Sequence, residues 1–170
     1  MSKKKSVKFQ LRVVISDGID DLFELPALYR TAREALELMM DRRFHSGNVC
    51  TVAQLRTPLL LKELEGRSDL IAKEIRELAA HDKKKDTQYC ETLYHYLTCC
   101  RSLKKTCDAL FTHRNTVLYR IRRIEDDFAI PLDEPAAHAD LLVGVSLLLF
   151  KEKGPDFFLH TVTKNEREEQ

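Results

Sequence analysis

Hydrophobic positions fall on two different periods along the chain, and the change of period divides it. Val7, Phe9, Leu11, Val13 and Ile15 alternate with Lys8, Gln10, Arg12 and Val14, the period of two that marks a strand. Ser16-Asp17-Gly18 interrupts it. From Leu25 or Pro26 onward, Leu28, Ala32, Ala35, Leu36 and Met39 follow helical spacing, with Pro26 tolerated in a first turn that has no use for its amide. Ser46-Gly47-Asn48 is the next break, and Val49-Cys50-Thr51-Val52 reads as a second short strand. The opening is therefore a small β-α-β portion. A lone strand pair is marginally stable unless something covers it, so residues 1–55 are expected to pack on helices or on a second copy.

Beyond this portion the period is 3.6 throughout, which makes the protein mainly α-helical. Pro58 to Leu64 and Leu70 to Ala80 read as connecting amphipathic helices, separated by the stop and fresh start of Gly66-Arg67-Ser68-Asp69. His81 to Asp86 is a charge run, most simply a solvated loop or helix end; phosphate contact by Lys83, Lys84 and Lys85 is a secondary reading. Tyr89, Leu93, Tyr96 or Leu97, and Cys100 line the inner side of the next helix. Leu141 to Phe150 is the longest apolar window, about half of the roughly 20 residues a membrane span requires, and reads as a buried helix or a subunit interface. Lys151 to Gln170 is a mainly polar tail in which Phe157, Phe158 and Leu159 are the residues able to dock.

Two short helices between Ser102 and Phe128 carry the functional signal. Ser102 is placed to cap the first, in which Leu103, Cys107 and Leu110 share a face. About three residues follow, Phe111-Thr112-His113, with Thr112 placed to cap the second helix. Val117, Ile121, Ile124 and Phe128 form the second helix's apolar stripe, while Arg114, Asn115, Tyr119, Arg122 and Arg123 point elsewhere. This is the helix-turn-helix plan, with a small Cys107 facing a buried Val117. Such a polar face suits a DNA major groove, because Arg forks onto guanine, Asn bridges adenine and further cations meet phosphates. The competing reading is a solvated basic face. Leu118 is placed either to meet a thymine methyl or to pack internally. Many such units carry Gly in the turn, so Phe111 must avoid a positive φ or bear the strain.

Charge sharpens the picture where composition does not. Over 170 residues, 44% hydrophobic, the net charge is only +1. Residues 101–123, however, hold seven Lys and Arg against Asp108 alone, and residues 124–170 hold four basic against eleven acidic groups. Screening over about 8 Å at physiological salt keeps the acidic end from cancelling the local basic field. The five cysteines (50, 90, 99, 100 and 107) form no C-x-x-C pair, and adjacent thiols at 99 and 100 point about 100° apart on a helix, which makes them poor joint ligands. Buried free thiols in a cytoplasmic protein are expected, with no metal and no cofactor. No secretory leader is apparent, since Arg12 interrupts the only early apolar stretch.

The stretch Ala109 to Val117, continuing through Tyr119-Arg120-Ile121 and Arg123-Ile124-Glu125, closely resembles the C-terminal DNA-binding domain of PucR/CdaR-type bacterial transcriptional regulators. The resemblance runs from about Asp86 to about Phe150 and includes Leu93 and the linker Ile130 to Pro135. It implies a Fis-like helix-turn-helix domain over 86–152 that reads double-stranded DNA as a homodimer, with half-sites about 34–36 Å apart. It also implies that His113, Arg114, Asn115 and Thr116 present the first turn, with Tyr119 and Arg120 one turn on. In that scheme Lys104, Lys105, Arg122 and Arg123 hold the backbone, and Arg114, Asn115, Thr116 and Tyr119 approach base edges or nearby phosphates. Arg120 anchors helix to helix or binds phosphate from the rim, and His113 is a phosphate donor or a cap. Less specifically, Ile15-Ser16-Asp17, Leu25-Pro26 and Tyr29 to Leu36 are similar to the end of a degenerate GGDEF-like domain, which would make 1–55 a partial α/β segment, 56–85 connecting helices and 153–170 a tail. No Gly-Gly-Asp-Glu-Phe motif is present, so nucleotide cyclisation has no visible catalytic centre and no enzyme is expected. A fragment of a longer regulator and a short natural form are both compatible with the chain; a small-molecule effector would belong to a sensory region beyond it. Two other functions stay open: a protein–protein interaction or dimerisation module without DNA binding, and a nucleotide-sensing cyclase-like remnant.

Overall fold

The computed structural model describes residues 11–159, which divide into two compact units, residues 11–63 with 153–159, and residues 64–152. The first unit is the α/β portion. Strand β1 (Val13–Ile15) pairs in parallel with β2 (Val49–Thr51), Val13 opposite Val49 and Ile15 opposite Thr51. Between them run a 3-10 turn (Leu22–Glu24), capped by the Asp21 carboxylate accepting from the Phe23 amide at 2.9 Å, and helix α1 (Leu25–Met39), which carries Pro26 in its first turn as expected. Ala35, Leu38 and Met39 form the buried stripe of α1, at the i, i+3, i+4 spacing of one helix face, whereas Leu36 lies off it and is 39% exposed. Val7 and Phe9, the predicted start of the first strand, lie outside the described residues.

Helix α2 (Val52–Glu63) begins six residues before the expected Pro58. The reason is a reciprocal cap: the Gln54 amide donates to Thr51 Oγ1 at 3.2 Å and the Thr51 amide to Gln54 Oε1 at 2.9 Å. That gain, with the burial of Val52, Leu55, Pro58 and Leu61, carries the helix through a proline that removes one backbone bond. The start of the C-terminal segment docks in this unit rather than fraying. The Asp156 carboxylate accepts from the amides of His45 (2.6 Å) and Ser46 (3.2 Å), and Phe158 and Leu159 are buried. Gly154 is required there: it takes φ +80°, and a Cβ would stand 2.5 Å from Arg43 Cβ. The polar stretch 160–170 lies outside the described residues.

The second unit is all helical: a 3-10 turn (Ser68–Leu70), α3 (Lys73–Lys85), α4 (Tyr89–Thr98), α5 (Leu103–Leu110), α6 (Arg114–Phe128), a 3-10 turn (Pro135–Ala137) and α7 (His138–Lys153). Helix α4 is its centre, packed against α3, α5 and α6. It buries Tyr89, Cys90, Thr92, Leu93, Tyr94, His95 and Leu97, more than one stripe, because neighbours surround it. Cys100 does not join them. Helix α4 stops at Thr98, and Cys100 and Arg101 turn the chain with φ of 51° and 61°, which leaves Cys100 exposed. Seven residues of α7 are buried, all between Leu141 and Phe150, with Ile71 and Ile75 packed beside Gly144, so the apolar window turns one face inward while Val143 stays 48% exposed.

The expected charge run at 81–86 hides a structural carboxylate. Helix α3 continues to Lys85, and Asp82 accepts from the amides of Tyr89 (2.9 Å) and Cys90 (2.7 Å), which stitches α3 to the orphan donors opening α4. Lys83, Lys84 and Lys85 are exposed in the last turn of α3, where cations suit the helix dipole.

Candidate nucleic-acid interface

The candidate site is built where α5 turns into α6. Ser102 caps α5 as expected, its hydroxyl accepting from the Lys105 amide at 3.4 Å. The residue that lets α5 approach its neighbours is Thr106, fully buried, rather than the half-buried Cys107; its hydroxyl donates to the Ser102 carbonyl at 2.8 Å and so brings no unpaired polar atom inside. Helix α5 ends on Phe111 in the left-handed conformation, φ 50° and ψ 41°. The Thr112 amide then donates to the Cys107 carbonyl at 3.1 Å, which ties the turn back onto the helix end. The turn thus does adopt the backbone for which glycine is the usual choice, with an 85% exposed phenylalanine in place.

Thr112 does not cap α6. Its hydroxyl donates backward to the Leu110 carbonyl at 2.9 Å, and His113 takes the cap, in extended backbone, with Nδ1 accepting from the Asn115 amide at 3.2 Å. His113 is therefore a capping residue in this structure, one of the two roles the sequence allowed it. Val117, Ile121 and Ile124 seal the inner face of α6, and Phe128 closes it with edge-on contacts to the rings of His81 and Tyr89.

With that face sealed, the polar side chains separate into free and committed groups. Lys104 and Lys105 on α5, and Arg114, Asn115, Thr116 and Arg122 on α6, are exposed, and none has a side-chain hydrogen bond or ion pair to a described residue. Tyr119 is 58% exposed beside them. Leu118 is half-buried. Arg120 is committed: Nη1 donates to Thr92 Oγ1 at 3.2 Å and Nη2 to Gln88 Oε1 at 3.0 Å, which binds α6 to the start of α4. Of the two functions the sequence left open for Arg120, the geometry displays helix anchoring. Arg123 is partly committed, with Nη2 2.6 Å from Asp127; the Tyr89 hydroxyl, then that carboxylate, hold its guanidinium above its ordinary value.

The electrostatics change along α6. No acidic residue lies in its first turn, so the positive helix end and Arg114 act together on the same side. Three carboxylates follow at Glu125, Asp126 and Asp127; burial, with help from Asp133 and Asp126, raises the Glu125 carboxyl. The donor-rich surface thus runs along α5 and along α6 as far as Arg122 and Arg123, ahead of these carboxylates. Among the described residues no group of three or more His, Cys, Asp or Glu side chains is placed to hold a metal, and no helix is long and apolar enough to cross a membrane. The arrangement offers anion-binding donors on an exposed helix surface.

Residues 89–147 match the PucR C-terminal helix-turn-helix domain. The chain is also similar to the proline-responsive transcriptional activator PutR of Bacillus subtilis, 30% identical over 133 residues that cover 74% of this chain and 32% of that protein. The chain therefore spans about a third of the length of that curated relative, and an alignment of this length reaches beyond the helix-turn-helix domain into the α/β portion. No solved structure matches the chain.

Proposed function

Residues 89–147 being a PucR-type helix-turn-helix domain, we propose that the protein is a transcriptional regulator that reads double-stranded DNA by laying the first half of α6 in the major groove. The observation that supports this most is the division of α6. Its inner face is closed by Val117, Ile121 and Ile124, while Arg114, Asn115, Thr116 and Arg122 remain exposed and unengaged on the other side. Arg114 and Asn115, in the first turn, address base edges; Thr116 and Tyr119 meet edges or adjoining phosphates; Lys104, Lys105 and Arg122 hold the backbone. Arg123 contributes by exchanging Asp127 for a phosphate, and His113 fixes the first turn. Such a protein acts by binding, without a catalytic step or cofactor, in the cytoplasm where its DNA lies.

One helix of this size reads only a few base pairs, so the functional form is a homodimer on half-sites about 34–36 Å apart. The parallel β1-α1-β2 arrangement supports reading residues 1–55 as the close of a larger α/β domain, in line with the similarity that extends past the helix-turn-helix. An effector that tunes binding would act through such a region.

Fluorescence anisotropy on duplexes selected from a random pool tests the proposal. Arg114→Ala should cost about 1–3 kcal/mol and relax the preference at one base position. Salt-dependent binding should be evident in the parent protein. If the protein self-associates but binds no DNA at low salt, the face described above is an interaction surface and the proposal fails.

A further inference from the structure

A second basic site lies in the first unit, far along the sequence from the helix-turn-helix, where the chain leaves α1 for β2. A cavity of about 390 Å³ opens there, lined among others by Arg12, Asp41, Arg42, Phe44, His45 and Gly47. Its size is that of a small-molecule site, and its lining is predominantly polar.

The charges around it are unevenly paired. Asp41 is the one carboxylate of the lining and is already taken: Arg43 holds it through Nη2 at 2.7 Å, Nε at 3.1 Å and the Arg43 amide at 2.8 Å. Those contacts, the side-chain bonds foremost, keep the Asp41 carboxyl below its ordinary value, so it stays ionised and bound to Arg43 instead of neutralising the cavity. Among the described residues, neither Arg12 nor Arg42 has such a counter-charge. The Arg12 guanidinium lies over the Phe44 ring at 5.7 Å, and its Nη1 is closed off from solvent without an acceptor. A partly desolvated guanidinium with no anion beside it is costly to keep. The same loop already receives one oxyanion from within the chain, since the amides of His45 and Ser46 hold the Asp156 carboxylate.

We propose that this cavity binds a small molecule through a phosphate or carboxylate group, with Arg12 and Arg42 supplying the charge and the loop at 40–48 closing around it. Arg12 is retained for that ligand at a cost to the free protein. The site is independent of the DNA-binding reading and stands or falls separately from it.

The test is titration of the isotope-labelled full chain with inorganic phosphate and, in a second arm, with acetate, each against chloride at equal ionic strength, followed by amide chemical shifts. Saturable shifts confined to residues 40–48 and the neighbourhood of Arg12 are expected in at least one arm, and the arm that saturates identifies the group. Arg42→Gln, on an exposed side chain, should lower the affinity at least tenfold with the spectrum otherwise unchanged. Arg12→Met should abolish binding while the thermal midpoint holds or rises, because it removes the orphaned donor. Shifts no larger than those given by chloride in both arms, or variants that bind as the parent does, would overturn the proposal.

Discussion

Arg120 and Arg122 are two positions apart on one helix, yet the structure gives them opposite functions, and their alanine variants separate these. Arg120 donates to Gln88 Oε1 and Thr92 Oγ1. Hydrogen bonds from a charged donor contribute about 1.5–3 kcal/mol each at best. Two features reduce that here. Gln88 is exposed, so water competes for its oxygen, and Thr92 keeps a second bond, its hydroxyl donating to the Gln88 carbonyl at 2.7 Å, so truncation of Arg120 orphans no buried donor. A net loss of about 1.5 kcal/mol is therefore expected for Arg120→Ala, and for a domain of this size it lowers the thermal midpoint by roughly 6–12 °C. Arg122, exposed and without a partner among the described residues, should change stability by no more than about 0.5 kcal/mol when replaced by Ala. DNA binding reverses the order. Arg122→Ala should weaken binding to all sequences alike and reduce the slope of log affinity against log salt by about 1, whereas Arg120→Ala should leave that slope intact at temperatures where the protein is folded. Circular dichroism melts paired with anisotropy over a salt series give both readouts. A melt unchanged by Arg120→Ala, together with a flattened salt slope, would refute the anchoring function and return Arg120 to the DNA surface.

Three further outcomes follow from the turn and from α6. Phe111→Gly should raise the thermal midpoint, since a left-handed non-glycine residue costs on the order of 1 kcal/mol, part of which is offset by the freedom glycine adds to the unfolded chain; a lower midpoint would show that the ring's contacts outweigh the backbone strain. His113→Ala should destabilise by about 0.5–2 kcal/mol and speed hydrogen exchange at the Asn115 amide, while His113→Asn, a stronger capping residue, should not. Glu125 binds its proton more tightly when folded, so its contribution to stability falls as pH rises from the ordinary value of 4.5 through the raised folded value. Glu125→Gln should accordingly be more stable than the parent at neutral pH, and the difference should shrink toward zero in melts at progressively lower pH; a difference that grows on acidification would contradict the burial argument.

The fold was legible from the sequence wherever a periodic pattern recorded burial. The β-α-β order, the start of α1 at Leu25, the Ser102 cap and the stripe Val117, Ile121, Ile124 all follow from local spacing, because a residue's neighbours on its own helix or strand are fixed by that spacing alone. The wording of residues 109–125 pointed in addition to the domain that the comparison found at 89–147. At α2 the local signal is Thr51-Val52-Ala53-Gln54, a capping box that starts the helix six residues before Pro58.

What the spacing left undecided depended on partners distant in the chain. Asp82 looks like one more charge in a solvated run until α4 arrives beside it and presents two bare amides. Thr112 and His113 are equally plausible caps locally; the path of the turn after Phe111 directs the threonine hydroxyl back to Leu110 and leaves the imidazole facing the first turn of α6. Arg120, Arg122 and Arg123 are the same residue type in sequence, and only the placement of Gln88, Thr92 and Asp127 makes one an anchor and one partly paired, and leaves Arg122 with no partner among the described residues. The chain by itself determined which faces are apolar and which carry charge, because those are properties of side chains. Tertiary structure alone decided which charges are already satisfied, because satisfaction is a property of pairs.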